Sequence, residues 1–120
     1  MASYKETVRA AILEQAHAKN LCDARDAAFC ATADELPDGS FGIVLLALNG
    51  NTLNICDIDL RNNIGGILCA VPMAEVQNYK IGRSLFANTL GFTWNGHKFF
   101  FKNMAGVKEL LELIGSEAGK

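Results

Sequence analysis

The residues of this chain best suited to covalent or metal chemistry are Cys22, Cys30, Cys56, Cys69, His17 and His97. A cysteine nucleophile needs a base beside it, and a zinc site needs closely paired ligands. No C-x-x-C pair occurs, and both histidines stand apart from the cysteines in sequence. The thiols are therefore expected as free groups in the core, where cysteine packs as a small hydrophobe. His17 is expected to face solvent from a helix, and His97, just after a turn, to sit at the surface or an edge. Cys56 and Arg61 have the residue types of a tyrosine-phosphatase loop. Their spacing is too short, and the glycines that let backbone N–H groups surround a phosphate are missing. Asp57, Asp59, Asn62 and Asn63 carry the oxygens of a calcium loop. If Asp57 is first, however, Arg61 falls at the fifth position, and Asn62 stands where the sixth requires glycine. Gly65-Gly66 leads into a strand rather than into a helix carrying a lysine, so a phosphate-cradling loop is not indicated. The pair is expected at a sharp corner or a close backbone approach. The chain is expected to be no enzyme and to hold no cofactor or metal.

A second group points to binding. Phe100 lies between Lys98 and Lys102, and Lys80 and Arg83 lie nearby in sequence; these five residues are the expected interaction surface. With Tyr79 and Trp94 they have the ingredients of a nucleic-acid face. The net charge of −2 and a pI near 5.6 argue against that partner. Charge is unevenly spread. Residues 21–60 hold Asp23, Asp26, Asp34, Glu35, Asp38, Asp57 and Asp59 against Arg25 alone, whereas residues 61–108 hold six cations against Glu75 alone. Two readings stay open: head-to-tail contacts between copies, or two ordinary solvated faces.

The pattern of apolar residues says what positions these groups. The 120 residues, half of them hydrophobic, suit one domain with a real core. Mean hydropathy of +0.14 leaves either a large core or a face covered by a second subunit. The longest apolar run, Ile43–Leu48, is far below the ~20 residues a membrane-spanning helix needs. No secretory signal is evident at the N-terminus, so a cytoplasmic location is expected.

Residues 4–20 have helical spacing, with Tyr4, Val8, Ala11, Ile12 and Gln15 on one face, a capping box at Ser3 and Glu6, and Asn20 as a stop. Strands are expected at 27–33, 41–48, 52–58, 67–71, 76–81, 88–94 and 97–102. Asn49-Gly50-Asn51 and Asn95-Gly96 mark tight hairpins. Val76, Tyr79 and Ile81 break strict alternation, and a bulge would restore them to one face. A closing helix from about Met104 to Ile114 is expected, with Asn103 as N-cap, the stripe Val107, Leu110, Leu111 and Ile114, and Gly115 as stop. Residues 116–120 read as a loose tail. A strand series joined by short turns is antiparallel, and one this long must close or fold over itself.

The stretch Val71-Pro72-Met73-Ala74-Glu75-Val76-Gln77-Asn78-Tyr79-Lys80-Ile81-Gly82, followed by the hairpin from Leu90 to Phe101 and a leucine-rich helix, resembles bacterial pleckstrin-homology-like domains. The resemblance covers roughly residues 27–115 and rests on hydrophobic spacing and turns. It implies a mainly β roll or barrel of about seven antiparallel strands in two packed sheets. A C-terminal amphipathic helix caps the roll, and the N-terminal helix is an addition. It also implies a non-catalytic scaffold. Self-association or protein binding is the first expectation, and an anionic small molecule or lipid head group bound through the basic second half is the alternative. Peripheral membrane contact is compatible with this but not specifically indicated. One feature departs from lipid-binding members of the wider superfamily. Where they carry lysines and arginines around the first strand turn, this chain has Asp34, Glu35 and Asp38, which would repel phosphate.

Overall fold

The computed structural model describes residues 4–120. Helix α1 (Tyr4–Ala18) precedes strands β1 (Ala28–Ala33), β2 (Gly42–Asn49), β3 (Thr52–Ile58) and β4 (Ile64–Pro72). A single 3-10 turn (Met73–Glu75) then leads to β5 (Gln77–Arg83), β6 (Asn88–Trp94), β7 (His97–Met104) and helix α2 (Lys108–Gly115). All pairings are antiparallel, in the order β4-β3-β2-β1-β7-β6-β5. The join between halves is narrow: β1 and β7 register at Thr32 opposite Lys102 and Ala33 opposite Phe101, and the Asp34 N–H extends the join to the Phe100 carbonyl at 2.9 Å. Leu46, Leu53 and Ile55 from one half share a buried cluster with Leu90, Phe92 and Phe99 from the other. The two expected layers are thus two halves of one sheet folded over that cluster.

Alternation decides which residues enter the core. Leu90 and Phe92 of β6 and Phe99 and Phe101 of β7 point inward, with rings stacked at centroid separations of 4.8 Å (Phe92–Phe99) and 6.4 Å (Phe99–Phe101). The unbroken apolar run of β2 has a different cause. Val44, Leu46 and Leu48 join the inner cluster, while Leu45 and Ala47 pack outward beneath Ile12 and Ala16 of α1. Both faces of this strand are dry, so both must be apolar. Asn54 is buried on the α1 side, and its Nδ2 donates to the Leu21 carbonyl at 2.9 Å.

Helix α1, whose last residue is Ala18, is stopped as expected by Asn20, in the left-handed region at φ 56°. The Leu21 N–H reaches the Ala16 carbonyl and the Asn20 N–H the His17 carbonyl, the paired bonds of a Schellman stop. The partner proposed for Glu6, Ser3, lies outside the described residues. The bulge in β5 is present: the register slips between Gln77 and Lys80, with Asn78 at φ 57°. Val76, Tyr79 and Ile81 all turn to the core.

Three expectations at the C-terminal end are corrected. Asn103 does not cap α2. It sits left-handed (φ 63°) near the end of β7, where the register with β6 shifts, and its Nδ2 donates to Thr32 Oγ1 at 3.1 Å. The helix begins only at Lys108, after Gly106 turns the chain at φ 71°. The helix does end at Gly115, as expected, but this glycine is not in the left-handed region. A β-carbon placed there would lie 2.6 Å from Tyr79 Cε1, so the glycine lets the tyrosine ring approach the helix. The residues after Gly115 are tied down rather than loose: the Gly119 N–H donates to the Met73 carbonyl, and Glu117 meets Arg25 at 3.3 Å. The stripe itself seals the roll, with Val107, Leu111 and Ile114 buried. β4 also begins three residues before its expected start. Gly65, packed where a β-carbon would lie 3.2 Å from Asp57, admits the close approach.

Candidate functional site

The outward positions of β5, β6 and β7 follow from the inward ones. With Tyr79, Ile81, Leu90, Phe92, Phe99 and Phe101 turned to the core, Lys80 and Gly82, Thr89, Gly91 and Thr93, and Lys98, Phe100 and Lys102 face away from it. Register then sets neighbours. Lys80 lies opposite Gly91, which lies opposite Phe100, and Gly82 lies opposite Thr89. Strands are about 4.8 Å apart, so the backbones of Lys80 and Phe100 are about 10 Å apart across a residue with no side chain. The Phe100 ring leans over that gap, 3.8 Å from where a Gly91 β-carbon would stand. Gly82 is held still closer, its missing β-carbon 2.5 Å from Thr89 Oγ1.

The glycines therefore lower the face into a groove of about 430 Å³, lined by Asn78, Lys80, Gly82, Arg83, Thr89, Gly91 and Phe100. Its side chains offer an ammonium, a guanidinium, an amide and a hydroxyl, all able to donate hydrogen bonds. No carboxylate lines it. Among the described residues no salt bridge engages Lys80, Arg83, Lys98 or Lys102. The groove is an open, cationic, donor-rich surface with one half-exposed aromatic wall.

The five residues singled out in the sequence are divided by the fold. Lys80, Arg83 and Phe100 line the groove together. Lys98 is exposed on the same face, opposite Thr93, two pairs farther from the β5–β6 turn than Phe100. Lys102 lies on the other side of Phe100, where it shares a hollow with Asp34 and Glu35 that offsets its charge. Asn78, Gly82, Thr89 and Gly91 were missed. Asn78 had a signal, being a residue tolerant of left-handed backbone at the point where the β5 spacing breaks.

The acidic first strand turn is built for its own closure. Leu36 is buried, its N–H bonding the Ser40 carbonyl, and the Asp38 carboxylate accepts from the Ser40 hydroxyl and N–H, which lowers its pKa. His97 Nε2 donates to the Glu35 carbonyl at 2.8 Å, tying this turn to β7.

The covalent and metal candidates resolve into structural roles. The fold brings His17 to Cys22, a pairing not foreseen from their spacing, with Asp26 on His17 Nε2. The Cys22 sulfur lies 3.9 Å from both ring nitrogens, so it is aligned with neither lone pair. Burial, and then the Asp26 and Asp23 carboxylates, push its thiol pKa up, away from the thiolate a nucleophile needs. Burial likewise raises Cys30 and Cys69, and pushes Cys56 up to about 11. The Asp59 carboxylate accepts the N–H groups of Asn63 and Arg61, which lowers its pKa and closes the β3–β4 turn. Among the described residues no group of three or more His, Cys, Asp or Glu side chains is placed to hold a metal ion. No helix of these residues is long and apolar enough to cross a membrane.

No family model and no curated protein matches this sequence. Solved structures do. The Slm1 PH domain in complex with phosphoserine superposes with a TM-score of 0.51 at 11% identity, covering 76% of this chain and 90% of that one. The same domain in complex with inositol-4-phosphate gives 0.49 at 12%, with the same coverage. At such identity the likeness with phosphoserine-bound Slm1 establishes a PH-like fold.

Proposed function

We propose that this chain is a non-catalytic binding module whose groove on the outer face of β5–β7 holds a phosphorylated, anionic ligand. The observation that carries the reading is the groove itself: Lys80 and Arg83 both line a hollow of about 430 Å³, together with Asn78 and Thr89 and with no carboxylate in the lining. Arginine offers two parallel donors to a phosphate and lysine a compact charge. Phe100 supplies an apolar wall for the ligand's carbon skeleton. The volume suits a small phosphorylated head group or amino acid. That a PH domain of similar fold was crystallised with phosphoserine supports the ligand class. The acidic first strand turn, with Asp34, Glu35 and Asp38, argues against a site there.

Calorimetric titration of phosphoserine and inositol phosphates at low salt tests the proposal. Lys80→Gln and Arg83→Gln should each weaken binding about tenfold or more, the worth of a charge-assisted hydrogen bond. Added salt should weaken it further. Binding that ignores both substitutions would exclude the groove.

Self-association is a second reading, favoured by Phe41, Ile43 and Ile67, which are 78%, 54% and 54% exposed. Ile43 and Ile67 flank the α1-covered outer face of β1–β4. Light scattering after size-exclusion chromatography should then show a multimer that Ile43→Ser with Ile67→Ser dissociates; a monomer at high concentration excludes it.

A further inference from the structure

The β5–β6 hairpin closes between Ser84 and Ala87. The Ser84 N–H and hydroxyl both donate to the Ala87 carbonyl, at 2.8 and 3.2 Å. The two residues at the tip are Leu85 and Phe86, 81% and 84% exposed. Two-residue hairpin tips ordinarily take glycine, asparagine or aspartate, as Gly50-Asn51 and Asn95-Gly96 do in this chain. Neither tip side chain belongs to either apolar cluster, so neither stabilises the fold by burial. Two adjacent large hydrophobes held in water at a projecting turn call for an apolar phase outside the molecule.

The charge around the tip is cationic. Arg83 stands two residues before Leu85, and Lys108 at the start of α2 shares a hollow of about 160 Å³ with Phe86 and Arg83, again with no carboxylate in the lining. Lys108 is 4.0 Å from Glu112, an exposed pair that water screens. The groove begins at this same end: Gly82–Thr89 is the second strand pair behind the tip and Lys80–Gly91 the fourth. At about 3.3 Å per residue, Lys80 stands about 10 Å behind Arg83. Amphipathic segments enter a bilayer by about 5–10 Å. Insertion to that depth buries Leu85 and Phe86, sets Arg83 and Lys108 among the lipid phosphates, and leaves Lys80 and the groove facing the head groups.

We infer that the β5–β6 tip is a wedge for an anionic membrane, with Leu85 and Phe86 entering the acyl boundary and Arg83 and Lys108 meeting lipid phosphate. The inference rests on the anionic-ligand reading of the groove for one part only, that the groove's ligand is a head group of the same bilayer.

Phosphatidylserine gives matched arms for the test, because its head group is a phosphoserine ester. The full chain is sedimented with vesicles of phosphatidylcholine alone and of phosphatidylcholine with phosphatidylserine, and titrated separately with free phosphoserine. The wild type should bind the mixed vesicles and not the neutral ones. Leu85→Ser with Phe86→Ser should lower vesicle partitioning about tenfold or more and leave free phosphoserine binding unchanged. Lys80→Gln should weaken both. Phe86→Trp should give blue-shifted emission on the mixed vesicles alone. Wild-type binding to phosphoserine without binding to vesicles, or equal vesicle binding by the serine variant, overturns the wedge and leaves the groove standing. Tip-dependent vesicle binding that Lys80→Gln does not touch overturns the groove and leaves the wedge. A lipid-free dimer that the serine variant dissociates makes a second copy the occupant and also overturns the wedge.

Discussion

Gly115→Ala should destabilise this protein, although the same substitution inside an exposed helix usually stabilises. A β-carbon at position 115 would stand 2.6, 3.0 and 3.3 Å from Cε1, Cδ1 and Cζ of Tyr79. Ordinary carbon contacts are about 3.5–4.0 Å. The overlap is about 1 Å with the middle of a ring that cannot step aside freely, because the Tyr79 hydroxyl donates to the Leu111 carbonyl one turn earlier in the same helix. Overpacking of this kind costs about 1–3 kcal/mol, and losing the hydroxyl bond adds about 0.5–1.5 kcal/mol. Against these stands a helix-propensity gain of at most about 1 kcal/mol, smaller in a last turn. The net expectation is a loss of about 1–3 kcal/mol, or about 4–12 °C in Tm for a domain of this size. Urea melts of the wild type, Gly115→Ala, Tyr79→Leu and the double variant measure it. Leucine is shorter and can turn away, so alanine at 115 should be neutral or stabilising in that background, with a coupling of at least about 1 kcal/mol. If Gly115→Ala stabilises the wild type, or costs the same in both backgrounds, then Tyr79 does not pin α2 to β5 as argued.

Other expectations follow from the polar anchors. Asp23 accepts from the Arg25 guanidinium and from the backbone N–H groups of Gly50 and Arg25, which holds its carboxyl well below the usual carboxylate range, the Arg25 side chain being the main cause. With the folded pKa depressed, its contribution is complete above the unfolded value of about 3.9 and is lost as pH falls toward the folded one. Asp23→Asn should therefore cost about 1–3 kcal/mol near neutral pH, and the gap to wild type should close in acid melts below about pH 4; a gap independent of pH would show the charge to be idle. Asn54→Leu should destabilise by about 1–3 kcal/mol in urea melts, because the Leu21 carbonyl loses its buried donor. A thiol reagent at neutral pH should modify the half-buried Cys30 and Cys69 first and leave Cys22 and Cys56 unmodified until the protein unfolds. Mass spectrometry reads the order, and early labelling of Cys56 would contradict its burial.

What was legible in the sequence is what repeats along it. The alternation of Leu90, Phe92 and Trp94, the broken spacing of Val76, Tyr79 and Ile81, and the α2 stripe each reappear on the core side of their element. These patterns are local, and the physics that enforces them is local too. The errors fall where a residue type serves two purposes. Asparagine caps helices but also tolerates left-handed backbone, and at Asn103 the second use won. Glycine stops helices but also admits a neighbour, and at Gly115 Tyr79 decided. The groove was half legible. Its cations were visible as an excess in residues 61–108, but its floor is made of missing side chains, Gly82 and Gly91, whose alignment is fixed by strand register. The pairing of His17 with Cys22 depends on how the chain leaves α1, which the spacing did not foretell.

The charge asymmetry of the sequence takes on a definite form in the fold. Asp34, Glu35 and Asp38 lie in the β1–β2 turn and Asp57 and Asp59 at the β3–β4 end, whereas Lys80, Arg83 and Lys98 lie on β5–β7 and Lys108 starts α2. Apart from Arg61 in the β3–β4 turn and Lys102 beside Asp34 and Glu35, the acidic and basic blocks of the chain thus become different parts of a single folded sheet, and the net charge of −2 conceals that separation. A molecule of this kind meets an anionic surface in a preferred orientation, with the cationic β5–β6 end leading and the acidic turns repelled. Long-range orientation fades beyond the Debye length of about 8 Å at physiological salt, whereas apolar insertion does not depend on it. The two contributions can therefore be separated: salt should slow the capture of the protein by anionic vesicles far more than it speeds release, and Leu85→Ser with Phe86→Ser should do the reverse. Stopped-flow traces in which salt and the tip substitutions act on the same rate constant would show that steering and insertion are not distinct steps.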